Sequence, residues 1–300
     1  MAEFRVTTDG LNLRREPIVN NTNKLAVLHT GQRVELLEGM PNAEWWHVST
    51  MIGGREVKGW VARRYLSADF TEPPAAPAIR RVHLKEGRPE VTRNALGSAW
   101  AYPLGEPGAP RRKGTTAAQR TKELASIIDW LQVEKSLRYK KNGSTTYCNI
   151  YATDYSYLAN AYLPRVWWTG SALAKLGAGQ SVTPTYGATV QEMTANQLYE
   201  WLDDFGADFG WTRVFDPQEI QEAANAGSVG ILCAQRKELN RPGHITAIVP
   251  ETGEHPARRA AGKVTVPLQS QAGMSNFRYR SMLWWTTPNK YRAFGYWYHQ

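Results

Sequence analysis

From Asp69 to about Thr115 the chain turns to Pro, Gly, Ala and Arg, as in Glu72-Pro73-Pro74-Ala75-Ala76-Pro77 and again between Pro103 and Pro110. Proline fixes φ and offers no N–H, so such a tract fits poorly inside a regular core and serves as linker or extended wrapping chain. It divides the sequence into a short piece, residues 1–68, and a long one, residues 116–300. With 300 residues, 42% of them apolar, the chain can bury two separate cores, and two domains are expected.

The short piece reads as a string of strands. Val34-Glu35-Leu36-Leu37, Trp46-His47-Val48 and Gly59-Trp60-Val61 are β-rich runs bounded by Gly31, Gly39, Pro41-Asn42 and Gly53-Gly54. A small β-barrel is the expectation.

The long piece changes character at Gly227. Before it the apolar spacing is helical: Leu124, Ile127, Ile128 and Leu131 predict a helix from about Thr116 to Ser136. A second helix follows Cys148, with Ile150, Tyr151, Tyr155, Leu158, Ala159 and Tyr162 on one face and Pro164 ending it. Leu198, Trp201, Leu202 and Phe205 mark a third, and Asp216-Pro217 opens and Gly227 closes a short fourth. After Gly227, Val229–Ala234, Ile245–Val249, Val264–Leu268 and Phe294–Tyr298 are short β-rich runs. Helices followed by an antiparallel sheet give an α+β fold class.

The first thirty residues hold no continuous apolar segment, and no stretch approaches the about 18 apolar residues that span a membrane, so the expectation is a soluble product without its own export signal or membrane span. The net charge of +9 favours an anionic surrounding, but the basic residues are scattered in small clusters such as Arg14-Arg15, Arg63-Arg64 and Arg258-Arg259. That distribution gives general attraction and no nucleic-acid groove. Two cysteines are too few for a disulfide framework.

A thiol nucleophile needs its thiolate stabilised, and the unpaired N–H groups of a helix N-terminus do this. Cys148 follows the polar loop Asn142-Gly143-Ser144-Thr145-Thr146 and leads into a helix, whereas Cys233 lies inside an apolar strand as a small buried hydrophobe. The proton acceptor best placed among the six histidines is His244, in Pro242-Gly243-His244-Ile245, a turn feeding a strand. The third requirement is a group that holds the imidazole tautomer. Gln269, at the end of the strand after that of His244, is the first choice, and Gln271, on the same face by two-residue alternation, is the second. Glu251 falls on the opposite face. Tyr147 and the Asn142 loop are candidates for an additional oxyanion donor. Trp45-Trp46, Trp167-Trp168 and Trp284-Trp285 are either core or substrate-groove walls, with Trp167 and Trp168 the pair closest after the nucleophile helix.

The pieces Leu11-Asn12-Leu13-Arg14, Gly31-Gln32-Arg33-Val34, Trp45-Trp46-His47-Val48 and Gly59-Trp60-Val61 resemble the bacterial SH3 (SH3b) family in content and order. Such modules accompany cell-wall hydrolases, so the resemblance implies targeting. Tyr147-Cys148-Asn149 at a helix start, Gly243-His244-Ile245 and the polar end of the next strand resemble the NlpC- and CHAP-type cysteine peptidases and amidases, over residues 140 to 275. The stretch between Cys148 and His244 is longer than in those compact domains, and Gln269 stands where His, Asn or Glu is usual. The resemblance implies a papain-like core, helices packed on an antiparallel sheet, that hydrolyses amide bonds in peptidoglycan stem peptides or cross-links through an acyl-enzyme on Cys148.

A papain-like toxin or effector acting on a protein would carry the same pair, and a wall-binding adaptor that has lost activity would keep the fold. His244, Glu254 and His255 lack a ligand spacing and no phosphate-cradling glycine motif occurs, so neither a metal nor a nucleotide cofactor is expected. A wall hydrolase made in the cytoplasm without a signal peptide implies delivery to the periplasm or wall by a holin, a secretion apparatus or lysis. A phage endolysin and an antibacterial effector, with an immunity or delivery protein as partner, fit equally.

Overall fold

The structure, a computed structural model, describes residues 2–8, 10–19, 23–40, 43–68, 81–287 and 289–300. The Pro-rich run at 72–77 and the turn at Pro41-Asn42 lie outside the described residues. The fold is mixed α+β, with five α-helices and antiparallel sheets among the described residues. The chain divides into two compact units: Met1–Ala76 with Trp201–Thr212, and Pro77–Glu200 with Arg213–Gln300.

The first unit carries β1 (Glu3–Val6), β2 (Leu11–Arg14), β3 (Lys24–Leu28), β4 (Arg33–Glu38), β5 (Trp45–Ile52), β6 (Arg55–Ala62) and β7 (Leu66–Ser67). Their order in one sheet is β3-β2-β6-β5-β4-β1-β7. Gly53 and Gly54, at φ 56° and 81°, join β5 to β6 as a two-residue turn whose left-handed conformations favour glycine. Alternation puts Leu11, Leu13, Val34, Trp46, Val48 and Val61 into one core. Gly59 is required by proximity: a Cβ there would stand 2.6 Å from the Arg14 carbonyl oxygen. The barrel expected from the sequence does not close. Closure needs a hydrogen-bonded ladder between the outer strands; β7 has two residues, both spent on β1, and no pairing joins it to β3 among the described residues.

The second unit contains α1 (Ala117–Leu131), α2 (Cys148–Leu158), β8 (Val166–Trp168), α3 (Gly170–Gly177) and β9 (Val190–Glu192). It continues through α4 (Ala195–Asp204), which crosses the division at Trp201, β10 (Trp211–Val214), which crosses back at Arg213, α5 (Pro217–Asn225), β11 (Val229–Arg236) and β12 (His244–Ile248). The hairpin of β13 (Arg258–Ala260) and β14 (Lys263–Val266) follows, then β15 (Gln269–Gln271), β16 (Phe277–Arg280) and β17 (Tyr291–His299). The main sheet runs β10-β17-β11-β12-β15-β16.

α1 starts at a capping box in which Thr116 and Gln119 satisfy each other's backbone N–H groups. It ends at Leu131, short of the expected Ser136, because Gln132 turns left-handed at φ 46°. α2 likewise ends before Pro164, where Asn160 takes φ 56°. α5 begins as expected, with the Asp216 side chain accepting from the Gln218 N–H and Pro217 at the first turn.

The tyrosine hydroxyl of Tyr151 on α2 lies 2.5 Å from Ser270 Oγ on β15, while Ile220 and Ala224 of α5 share a core with Leu232, Ala234, Ile248 and Trp284. Strand alternation then assigns the two helices to opposite faces of the sheet. The run Val264–Leu268 is not the neighbour of β12. Pro267 has no N–H and interrupts the ladder, so β14 pairs with β13 and the partner of β12 is the separate strand β15, with Ala247 opposite Ser270 and Ile248 opposite Gln269. Gln221 of α5, fully buried, bridges the break: its amide donates to the Val249 carbonyl at 3.0 Å and accepts from the Leu268 N–H at 2.7 Å.

Residues 81–115 pack on this second unit as a strap. Val82, Leu84, Val91, Ala101 and Leu104 are buried, scattered among polar and turn residues, which is why average composition conceals them. Arg112 reaches from the strap to the carbonyls of Ala159, Gly227 and Gln300 at 2.8, 2.8 and 2.9 Å. Arg138, with no exposed surface, donates to Asp154 at 2.7 Å and to the strap carbonyls of Ala99 and Tyr102 at 3.0 and 2.9 Å, while the Tyr139 hydroxyl donates to Asp154 at 3.0 Å. Removing one partner leaves the other charge buried and unpaired. Asp154→Ala is therefore expected to lower unfolding stability by about 3–5 kcal/mol, measured from urea or guanidinium midpoints.

Candidate active site

Cys148 is the first residue of α2, and the preceding Tyr147 makes no side-chain cap to the helix. The helix N–H groups are left to the thiol. The backbone N–H groups of Cys148, Asn149 and Ile245 all favour its thiolate, and Ile245 is the residue after His244 in β12. The Cys148 thiol thus lies at the backbone of β12, beside the residue that follows the base candidate His244. Burial opposes the N–H groups and wins: the side chain is 5% exposed and its pKa is pushed above the usual thiol range.

His244 opens β12 opposite Ala234 on β11. Its Nε2 lies 2.7 Å from Gln271 Oε1. Gln271 donates its own amide N–H to the Ser275 carbonyl at 3.0 Å, so its oxygen faces the ring and Nε2 must be the donor. The neutral imidazole then carries its lone pair on Nδ1, the arrangement a general base requires. Burial pushes the imidazole pKa down to about 4, the hydrogen bond that Nε2 donates to Gln271 opposing this and the charge of Lys290 adding to it. No hydrogen bond joins the ring to the Cys148 thiol, so at neutral pH thiol and imidazole are both uncharged.

Of the two glutamines, Gln271 is the one that touches the imidazole. Gln269 is directed elsewhere: its oxygen accepts from Trp284 Nε1 at 2.7 Å and its amide donates to the carbonyls of Pro267 and Met282 at 3.2 and 2.9 Å. The link to His244 is indirect, since the Trp284 ring stands edge-on to the imidazole at 4.5 Å between centroids. Gly273 closes over the pair; a Cβ there would stand 3.4 Å from the imidazole Cε1 and 3.0 Å from Gln271 Nε2.

The remaining sequence candidates are placed as follows. Tyr147 packs its ring on Trp100 at 4.5 Å, and Asn142 is closed in a tight turn with Thr145 through two backbone hydrogen bonds. Trp167 and Trp168 are buried in β8, and Trp284 and Trp285 are buried in the core shared with α5. Cys233 is buried on β11, donating to the Ala195 carbonyl at 3.3 Å. Glu251 is held by Arg259 and pushed down to about 2, away from the imidazole.

Asn196, in the first turn of α4, was not indicated by any motif. Thr194 and Gln197 already satisfy the helix start, so the Asn196 amide is released to work elsewhere. It donates to the carbonyls of Leu239 and Arg241 at 3.2 and 2.9 Å and accepts from the Arg236 N–H at 2.9 Å, holding the loop that delivers His244. Gly243 fits only without a side chain, since a Cβ would meet Asn196 Oδ1 at 2.4 Å and the Ala234 carbonyl at 2.7 Å. Tyr291 and Lys290 form the remaining rim: Tyr291 lies 5.5 Å from Trp284 and the charge of Lys290 reaches His244. Among the described residues no cluster of His, Cys, Asp or Glu is arranged to hold a metal ion.

The depressed imidazole gives a pH dependence with a definite sign. Between the ordinary value of 6.5 and about 4 the unfolded chain carries a proton on residue 244 that the folded chain lacks, so this contribution is present above 6.5 and is lost as pH falls through about 4. Wild type should lose on the order of 2 kcal/mol more stability than His244→Gln between neutral pH and pH 4, the half-buried position of the ring keeping the figure below the full shift. Paired denaturant melts measure the difference; parallel curves would show that the imidazole is not held neutral. No protein-family model matches this chain and no curated protein matches it, so the functional reading rests on this geometry.

Proposed function

We propose that this chain is a cysteine hydrolase of the papain-like, NlpC/CHAP type acting on amide bonds of peptidoglycan, with residues 1–68 an SH3b-like targeting module. The observation that carries the reading is the meeting of an uncapped helix start at Cys148 with the strand start at His244, whose tautomer is set by Gln271. In the proposed reaction the thiol proton passes to His244 Nδ1 as Sγ attacks the substrate carbonyl carbon. The carbonyl oxygen becomes an oxyanion that the Cys148 backbone N–H stabilises. The imidazolium then protonates the leaving amine as the C–N bond breaks, and water, deprotonated by the same imidazole, releases the acyl group and restores the thiol. Because the pair rests uncharged, the thiolate forms during encounter with substrate.

Purified sacculi incubated with wild type are expected to release new muropeptides, identified by mass spectrometry, that Cys148→Ala does not release. Gln271→Ala should lower the rate by about 10-fold or more through loss of the tautomer, with Gln269→Ala affected less. Binding of both proteins to sacculi without release would replace the catalytic reading; neither binding nor release would point to a protein substrate.

One observation favours a second reading, a wall-binding adaptor without catalysis: the thiol is buried with a raised pKa and makes no hydrogen bond to His244. Iodoacetamide separates the two. In the hydrolase reading Cys148 is alkylated faster than in His244→Ala at neutral pH, whereas in the adaptor reading both thiols stay unmodified until the fold opens.

A further inference from the structure

At the end of α2 away from Cys148, the helix and the strap line an open pocket of about 360 Å³ in the second unit. That volume falls in the range of small-molecule sites. Arg81, His83, Glu86, Arg111, Tyr157 and Tyr162 supply its chemistry. The Arg111 guanidinium lies over the Tyr157 ring at 4.2 Å and donates one N–H to the Tyr157 carbonyl at 2.9 Å. Arg81 lies over Tyr162 at 5.4 Å. Each cation is thus held in place by an aromatic face, and neither is paired with a carboxylate among the described residues, unlike Arg93, Arg138, Arg165, Arg259 and Arg278. The one acidic residue in the lining, Glu86, is already engaged by the Tyr157 hydroxyl at 3.3 Å and His83 Nε2 at 3.6 Å.

Two oriented guanidinium forks with unspent N–H groups in a concave site match an oxyanion, whose paired oxygens accept two parallel hydrogen bonds. An arginine lies over one face of each tyrosine. We propose that this pocket binds a small oxyanion, a carboxylate or a phosphate, at a site separate from the cysteine. The helix between them has 11 residues, a separation of about 16 Å, so the ligand does not contact the thiol. The proposal does not depend on the hydrolase reading.

The test is calorimetric titration of the full chain at low salt with inorganic phosphate and, separately, succinate. Saturable binding of at least one probe is expected, and the tighter of the two names the group recognised. Arg81→Ala and Arg111→Ala should each weaken it by about 10-fold, while Arg278→Ala, which removes an exposed and already paired charge elsewhere, leaves it unchanged. No saturable binding of either probe overturns the proposal, as does unchanged affinity in Arg81→Ala. An equal loss in Arg278→Ala also overturns it, because diffuse attraction to a net charge of +9 would then account for the signal. If Arg111→Ala melts well below wild type, Arg81→Ala alone decides, since the Arg81 side chain makes no hydrogen bond among the described residues whose loss would disturb the fold.

Discussion

The site depends on one register. On β11 and β12, Ala234 stands opposite His244 and Cys233 opposite Ile245. A slip of one residue would turn the imidazole to the other face and move the Ile245 N–H away from the start of α2. The register is secured from both sides of the strand. Toward β11, the loop between the strands is pinned by Asn196 and admits only glycine at position 243. Toward β15, Ala247 and Ile248 pair with Ser270 and Gln269, and the Tyr151 hydroxyl fastens β15 to α2. The same few bonds that hold the sheet together fix the place of His244 in it.

The electrostatics of the site are a contest between a helix start and burial. N–H groups at a helix terminus are worth roughly 0.3–1 kcal/mol to an exposed anion and more to a partly buried one; desolvation of a thiolate in a dry pocket costs more than that. The thiol pKa accordingly rises while the imidazole pKa falls. Both groups are kept in their uncharged forms by the same cause, and the glutamine at Nε2, an uncharged orienting group, adds no negative charge that would stabilise an imidazolium. A neutral resting pair exposes no reactive thiolate to adventitious electrophiles.

The parts of the molecule that were legible in the sequence are those governed by local rules. A thiol at a helix start, an Asp-Pro helix opening and a Gly-Gly hairpin turn each depend on neighbours within a few residues, and the helix, cap and turn stand where the spacing placed them. What depended on partners distant in the chain was not legible. The strap at 81–115 buries single apolar residues, Val82, Leu84, Val91, Ala101 and Leu104, whose spacing follows neither a helical nor a strand period. The choice between Gln269 and Gln271 turned on whether one strand or two occupied residues 263–271, which the missing N–H of Pro267 decided. Asn196 left no trace because its role is to a loop forty residues onward. The expected barrel failed for a related reason, since closure is a property of the outer strands' lengths and not of any internal motif.

Arg112 carries a consequence for the order in which the second unit forms. Its guanidinium joins the end of α2, the turn after α5 and the last residue of the chain, over sequence separations of 47, 115 and 188 residues. Contacts of such length gain nothing until the intervening segments are folded, because the entropy of closing their loops must be met first. The segment around Arg112 therefore settles onto a sheet and helices already assembled, acting as a fastener applied late. On unfolding the sequence of events reverses, and the unit loosens first where its most distant pieces are tied together.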